Sequence, residues 1–342
     1  MGINPFFSAQ APAKVLLTGE HSVVYGAPAV AVAVDRFATT EIRSAAELGI
    51  HFSLTDIKKS VRFTLNALKR VRDRLLQSYY QFMQGKRSIQ QVIKAPGELF
   101  QFAFASLYDA CKLEITQGLD IRLSSTIPIG CGMGSSAATI VSFVRALLHF
   151  FNIERGLDWV EKLILEVEQL QHGRASGVDT HISLHGGCVQ FQKTKKPNAL
   201  PLPTAPLWIV NTGTPQTSSG ECVEKVHERF GSSCIWSEFD EVTLQCIHAL
   251  HTENSALLLD SIQQNERLLE KIGVVSQQAK SFIRSIEASG GGAKISGAGT
   301  VSGQNCGIIL VMGEEPKKVC QQFGYKYFPL KGVESGVTLG HS

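Results

Sequence analysis

The sequence predicts an α+β chain with two lobes. Its 342 residues exceed what a single hydrophobic core usually organises. Short alternating apolar runs are interspersed with longer stretches of 3–4 spacing, so strands and helices share the chain. A Pro-rich segment, residues 197–206, separates two such sets and marks the boundary. These observations divide the chain into an N-terminal domain over 1–200 and a C-terminal domain over 201–342. Apolar residues make up 44% and charged residues 18%, the balance of a globular rather than a disordered protein.

In chain order, Lys14–Leu17 and Ala29–Val34 read as strands, the second an Ala/Val alternation suited to close packing. Lys58–Gln84 reads as a long helix with apolar positions at Val61, Leu65, Leu68, Leu75 and Leu76 and a basic outer face. Its apolar face serves core packing, with a homodimer contact as the alternative use. Pro96-Gly97 breaks the pattern, and Glu98–Cys111 resumes it. Leu119–Ser124 alternates as a strand. Beyond a glycine-rich loop, Ile140, Val141, Val144, Leu147, Leu148 and Phe151 trace a buried helix face, and Asp158–Leu170 is a further helix. Cys188–Phe191 and Leu207–Asn211 are strands. The second half holds helices at Phe239–Leu250, Ala256–Leu269 and Val275–Ala288, then a Gly-rich turn and a strand at Gly307–Met312. No repeat of 20–50 residues is visible.

Bulk chemistry narrows the function. The formal net charge is only +3, and Lys193, Lys195 and Lys196 form a short solvated cluster, so nucleic acid and membrane surfaces are not expected partners. A small anionic substrate fits better. Eight cysteines without a C-x-x-C pair suit reduced thiols in a cytoplasmic protein. Cys246, His248 and His251 lack the second ligand pair of a structural zinc site. The N-terminus carries no secretory pattern, Phe6 stands where a myristoylation signal wants Ser or Thr, and no apolar run nears the ~20 residues of a membrane span.

Three stretches carry chemistry. Pro128-Ile129-Gly130-Cys131-Gly132-Met133-Gly134-Ser135-Ser136-Ala137-Ala138 places alternating glycines before a helix start. Glycine admits positive φ and close approach, and a helix N-terminus offers unpaired N–H groups, so the segment is built like a phosphate cradle. It is neither a Walker A loop nor a dinucleotide fingerprint. Lys14 opens an apolar strand that leads to a turn with Gly19, Glu20 and His21. Glu168 lies near a helix end, and Asp179 follows the turn at Gly177. A cradle, a lysine and two acids are the parts that phosphoryl transfer requires.

On these motifs, together with Lys294-Ile295-Ser296-Gly297-Ala298-Gly299-Thr300, the chain resembles the GHMP small-molecule kinases over nearly its whole length. Gly19-Glu20-His21-Ser22-Val23-Val24-Tyr25-Gly26 and His172-Gly173 through Ser176-Gly177-Val178-Asp179 are most similar to the mevalonate kinase branch. The resemblance implies a lobe with a ribosomal-protein-S5-like sheet, a ferredoxin-like lobe, and an active site in the cleft between them. It implies ATP-dependent phosphorylation of the primary hydroxyl of mevalonate in isoprenoid synthesis, with Mg2+. Pro128, Gly130, Gly132, Met133, Gly134, Ser135, Ser136 and Ala137 then hold ATP. Ser136 and Glu168 are the metal ligands, with Ser135 an alternative to Ser136. Asp179 is the catalytic aspartate and Lys14 its cationic partner. Both meet substrate, with His21, Thr217, Gly297 and Ala298.

A phosphomevalonate kinase is the neighbouring reading. It calls for extra basic residues in the pocket, and Arg174 is the single one within a motif. A non-catalytic relative is expected to have lost part of the set Lys14, Ser136, Glu168 and Asp179, all present here. The chain departs from the family after Gly299, where Thr300-Val301-Ser302-Gly303-Gln304-Asn305 replaces a longer glycine run. Hydroxyls and amides there can still bond substrate oxygens, but not with glycine's backbone approach.

Overall fold

A computed structural model describes residues 6–95, 97–128, 132–173 and 175–341. The first half folds as β1 (Phe7–Thr18), β2 (Ala29–Ala45), β3 (Ile50–Leu54), β4 (Lys59–Phe63), α1 (Leu65–Met83), α2 (Glu98–Cys111), β5 (Gly118–Ser125), α3 (Ser135–Phe150), α4 (Leu157–His172), α5 (Val178–His185), β6 (Cys188–Phe191) and β7 (Asn198–Leu200). The rest forms β8 (Leu207–Asn211), α6 (Ser219–Phe230), α7 (Ile235–His251), α8 (Ser255–Lys271), α9 (Gln277–Ala288), β9 (Gly292–Ser296), β10 (Ile308–Met312), α10 (Lys317–Phe323), β11 (Lys326–Leu330) and β12 (Thr338–His341).

Two sheets organise these elements. The larger runs β12–β1–β2–β5–β3–β4, with β6 paired to β2 and β7 to β6. The length of β2 makes this possible: Ala38–Ala45 pairs with β5, while Ala29–Val32 pairs with β6. The second sheet runs β11–β8–β10–β9. Residues 201–206 connect β7 of the first sheet to β8 of the second. The chain then returns, because β12 pairs with β1 along Phe7–Gln10.

Alternation fixes the packing of the second sheet. Ile308, Leu310 and Met312 of β10 join the core of the first lobe, and Ile309 and Val311 join a separate core against α9 and α10. Successive strand side chains point to opposite faces, so the sheet is covered on both. In the first lobe, Ala9, Ala11 and Ala13 on β1 are fully buried beneath α3. Their small side chains let a helix lie close to the sheet.

Several elements differ from expectation for identifiable reasons. β1 begins seven residues before Lys14. Alanine is a poor strand former, and Pro12 obscures the pattern by sitting at a register shift, a place where a strand tolerates proline. Lys59–Phe63, expected as helix, is strand paired to β3. The helix starts only after Thr64, whose hydroxyl accepts the Ala67 N–H. Val61 and Leu76, expected on the buried face, are 45% and 42% exposed, whereas Leu68 and Leu75 are buried. β9 was hidden within the Gly-rich turn. No described helix is long and apolar enough to cross a membrane.

Candidate active site

Four elements bring the predicted residues together: β1, the loop into α3, α4 and α5. Lys14 is buried in β1, and its backbone N–H donates to Met133 O at 3.0 Å, which ties the strand to the glycine loop. Its Nζ lies 3.1 Å from Asp179 Oδ1. Asp179 stands in the first turn of α5, where the helix dipole favours a carboxylate. Gly177 at φ 91° caps that helix, a conformation that suits glycine.

The described part of the cradle is Pro128 and Gly132–Ala137, and Met133 and Gly134 of it meet this pair. Gly134 caps α3 with φ 70°, and a Cβ there would lie 3.1 Å from Lys14 Cγ and 3.5 Å from Asp179 Oδ2. A Cβ on Gly132 would lie 2.6 Å from Ser296 O, so the glycine loop and the Gly297 turn meet backbone to backbone. Met133 and Ala137 are fully buried beneath the loop, while Ser135 and Ser136 are half-buried at the helix start. Gly130 lies outside the described residues.

Ser136 Oγ lies 2.8 Å from Glu168 Oε1 and 2.7 Å from Gln171 Oε1. A single hydroxyl proton cannot serve both acceptors. Three oxygens thus converge with one proton among them, and Gln171 joins the cluster without any signal in the sequence beyond its i+3 spacing from Glu168. Burial pushes the Glu168 carboxyl above its ordinary range, opposed by His172 and by the Ser136 hydrogen bond, and the Asp179 charge adds to the rise. A buried carboxylate short of cationic partners is a ready ligand for a hard cation.

The substrate-side residues line the junction with the second sheet. His21 is buried, and its Nε2–H donates to Ala298 O at 3.0 Å. Burial holds its pKa below 6.5, so the ring is neutral and Nδ1, which lacks a partner among the described residues, is an acceptor. Its backbone is unusual: φ 61°, ψ −49°, with Ser22 N donating to Glu20 O at 2.7 Å. That is a γ-turn of the rare positive-φ kind, a strained geometry typical of functional sites. Thr217 is also buried, its hydroxyl 3.2 Å from Thr300 Oγ1 and 2.9 Å from Ser302 Oγ. The side chains that replace the glycine run therefore form a hydroxyl network with Thr217.

A buried ion pair between Glu20 and Lys294, on β9, joins the two sheets. Asn265 Nδ2 of α8 donates to Glu20 Oε2 at 3.2 Å, and Lys294 Nζ also reaches Leu16 O and Ile295 O at 3.3 and 2.8 Å. This network escaped sequence reasoning. The signal was a lysine between Ala293 and Ile295 in an otherwise apolar run.

Comparison with known proteins places the chain in a family. The family model for the GHMP kinases N terminal domain matches residues 98–187. The mevalonate kinase of Archaeoglobus fulgidus is 31% identical over 311 residues, covering 90% of this chain and 94% of its own. That of Methanocaldococcus jannaschii is 29% identical over 323 residues, covering 92% and 94%. The crystal structure of the Methanococcus jannaschii mevalonate kinase superposes with a TM-score of 0.80 at 26% identity, over 95% of this chain and 98% of that one. On the combined strength of sequence, coverage and fold, the chain belongs to the mevalonate kinase family of the GHMP kinases.

Proposed function

We propose that this kinase transfers the γ-phosphoryl group of ATP to the primary hydroxyl of mevalonate, giving 5-phosphomevalonate and ADP. The observation that carries the reading is the Lys14–Asp179 ion pair set against Gly134, at the mouth of the loop and helix N-terminus that suit phosphates. Asp179 accepts the proton of the attacking hydroxyl. Lys14, 3.1 Å from that carboxylate, orients it and steadies the hydroxyl and the transferring group. The transition state of such transfers is loose in most accounts, so positioning and charge neutralisation contribute more than full deprotonation.

Backbone N–H groups of the loop and of Ser135–Ala137 hold the ATP phosphates. The convergence of Ser136, Glu168 and Gln171 oxygens around a single hydroxyl proton fits Mg2+, which prefers oxygen ligands and keeps several waters. Ser136 and Glu168 are the protein ligands in this reading. When bound, the cation neutralises charge on the phosphate oxygens. His21 and Thr217, with the Gly297-Ala298 turn, orient the acceptor: a neutral His21 accepts through Nδ1 from a hydroxyl, and the Thr217 hydroxyl bonds a carboxylate.

The test is a coupled ADP-release assay with mevalonate, phosphomevalonate, galactose and homoserine side by side. Mevalonate is expected to give the highest kcat/KM by at least tenfold. Equal or better turnover of phosphomevalonate would move the assignment to the neighbouring kinase.

A further inference from the structure

Away from the phosphate loop, α5 carries His181 and His185 one turn apart, both aimed at one carboxylate. His181 Nδ1 lies 2.9 Å from Glu161 Oε1, and His185 Nε2 lies 3.3 Å from Glu161 Oε2. The two rings stack at 4.3 Å between centroids. His181 follows Asp179 by two residues, about 200° around the helix, so the cluster faces away from the aspartate. It opens instead onto a surface cavity of 880 Å³, which Tyr79, Asp158 and Ser176 also line.

We propose that Glu161, His181 and His185 form a binding site for a divalent first-row transition ion, Zn2+ by preference. The donor set is two imidazoles and one carboxylate, which this class of ion takes with an open position for water. Histidines at i and i+4 on a helix share a face. The three donor atoms already lie within 4.8 Å of one another. A tetrahedral zinc at ~2.0–2.1 Å from each donor sets neighbouring donors roughly 3.3 Å apart, so small rotations complete the site. All three side chains are only part-buried, which leaves the ion a path from solvent.

The protonation balance is simple. The ligand form of an imidazole is the neutral one, with one ring nitrogen free to hold the ion. Each ring presents an N–H to Glu161 without metal. On binding, that proton moves through solvent to the ring's other nitrogen, Nε2 in His181 and Nδ1 in His185, and no net proton is released. Glu161 supplies the oxygen donor, and its two carboxylate oxygens are already turned to the two rings. An ion there would staple α4 to α5, the helices that carry Glu168 and Asp179.

The test titrates the metal-free, full-length enzyme with ZnCl2 against a chromophoric chelator, beside His185→Ala and Glu161→Gln. The wild type is expected to take up one equivalent, and each variant to bind at least tenfold more weakly. Zn2+ should also raise the thermal midpoint of the wild type and leave that of His185→Ala unchanged. Co2+ added to the wild type, which needs no variant to fold, should give the visible d–d bands of a four- or five-coordinate centre without thiolate charge transfer. No uptake by the wild type, uptake as tight in His185→Ala, or a thiolate band with Co2+ would overturn the proposal.

Discussion

Lys14 Nζ stands 3.1 Å from Asp179 Oδ1, a contact that joins the first strand of the large sheet to the first turn of α5. Both residues abut Gly134, the cap of α3, so one glycine separates the ion pair from the helix N-terminus that suits phosphate. Lys14 is almost wholly enclosed while Asp179 remains 36% exposed. The aspartate can therefore reach an incoming hydroxyl while its cation is held from behind.

Asp179→Asn keeps the size of the side chain and removes the proposed proton acceptor. We predict a fall in kcat of about 10³-fold, within the range general-base removal produces, with ATP affinity changed less than threefold. Steady-state kinetics and nucleotide titration of the same preparation check both halves. Unaltered turnover would remove Asp179 from the mechanism.

Glu168→Gln should raise the Mg2+ concentration for half-maximal activity roughly tenfold or more, because it replaces one of the carboxylate oxygens beside Ser136 in the proposed cation site. Magnesium titration at fixed ATP measures it. An unshifted requirement would place the cation elsewhere.

His21 gives a stability test with an inverted sign. Glycine normally costs about 0.5–1 kcal/mol relative to alanine through its freedom in the unfolded chain. At φ 61°, ψ −49° alanine keeps the strain that glycine relieves, of order 1–3 kcal/mol. His21→Gly should therefore be more stable than His21→Ala by about 1 kcal/mol, while both raise KM for the acceptor. Urea denaturation of the pair decides; the ordinary order, alanine the more stable, would refute the strain.

Glu266 offers a pH test. Burial pushes its carboxyl up to about 8 from an ordinary 4.5, against the pull of the Ile295 N–H and Lys294. The folded state thus binds this proton more tightly than the unfolded chain. Stability from this group is full below pH 4.5 and is lost as pH rises towards 8, at up to about 1.4 kcal/mol per unit. Glu266→Gln keeps an oxygen for the Ile295 N–H and cannot ionise. Its unfolding free energy should gain on the wild type between pH 5.5 and 8.5. Parallel profiles would show that Glu266 does not titrate there.

The proximity of the proposed site residues was foreshadowed in the sequence because each sits in a short motif with glycine at its turns: Gly134 beside Lys14, Gly177 before Asp179, Gly297 against Gly132. What joins them was not. Glu20 and Lys294 are 274 residues apart, and their pairing depends on how the two sheets face each other. Strand Lys59–Phe63 read as helix because its charged residues continue the spacing of α1, and its pairing with β3 overrides that local pattern. β12 carried no signal of its own; its place is set by the edge of β1 that it covers.

The most direct test of the central claim is 31P NMR of the product formed from ATP, Mg2+ and mevalonate. The account predicts one new phosphomonoester resonance split by two methylene protons, stoichiometric with ADP and growing about 10³-fold more slowly with Asp179→Asn. ADP release without that resonance, or an undiminished rate of its growth with Asp179→Asn, would contradict it.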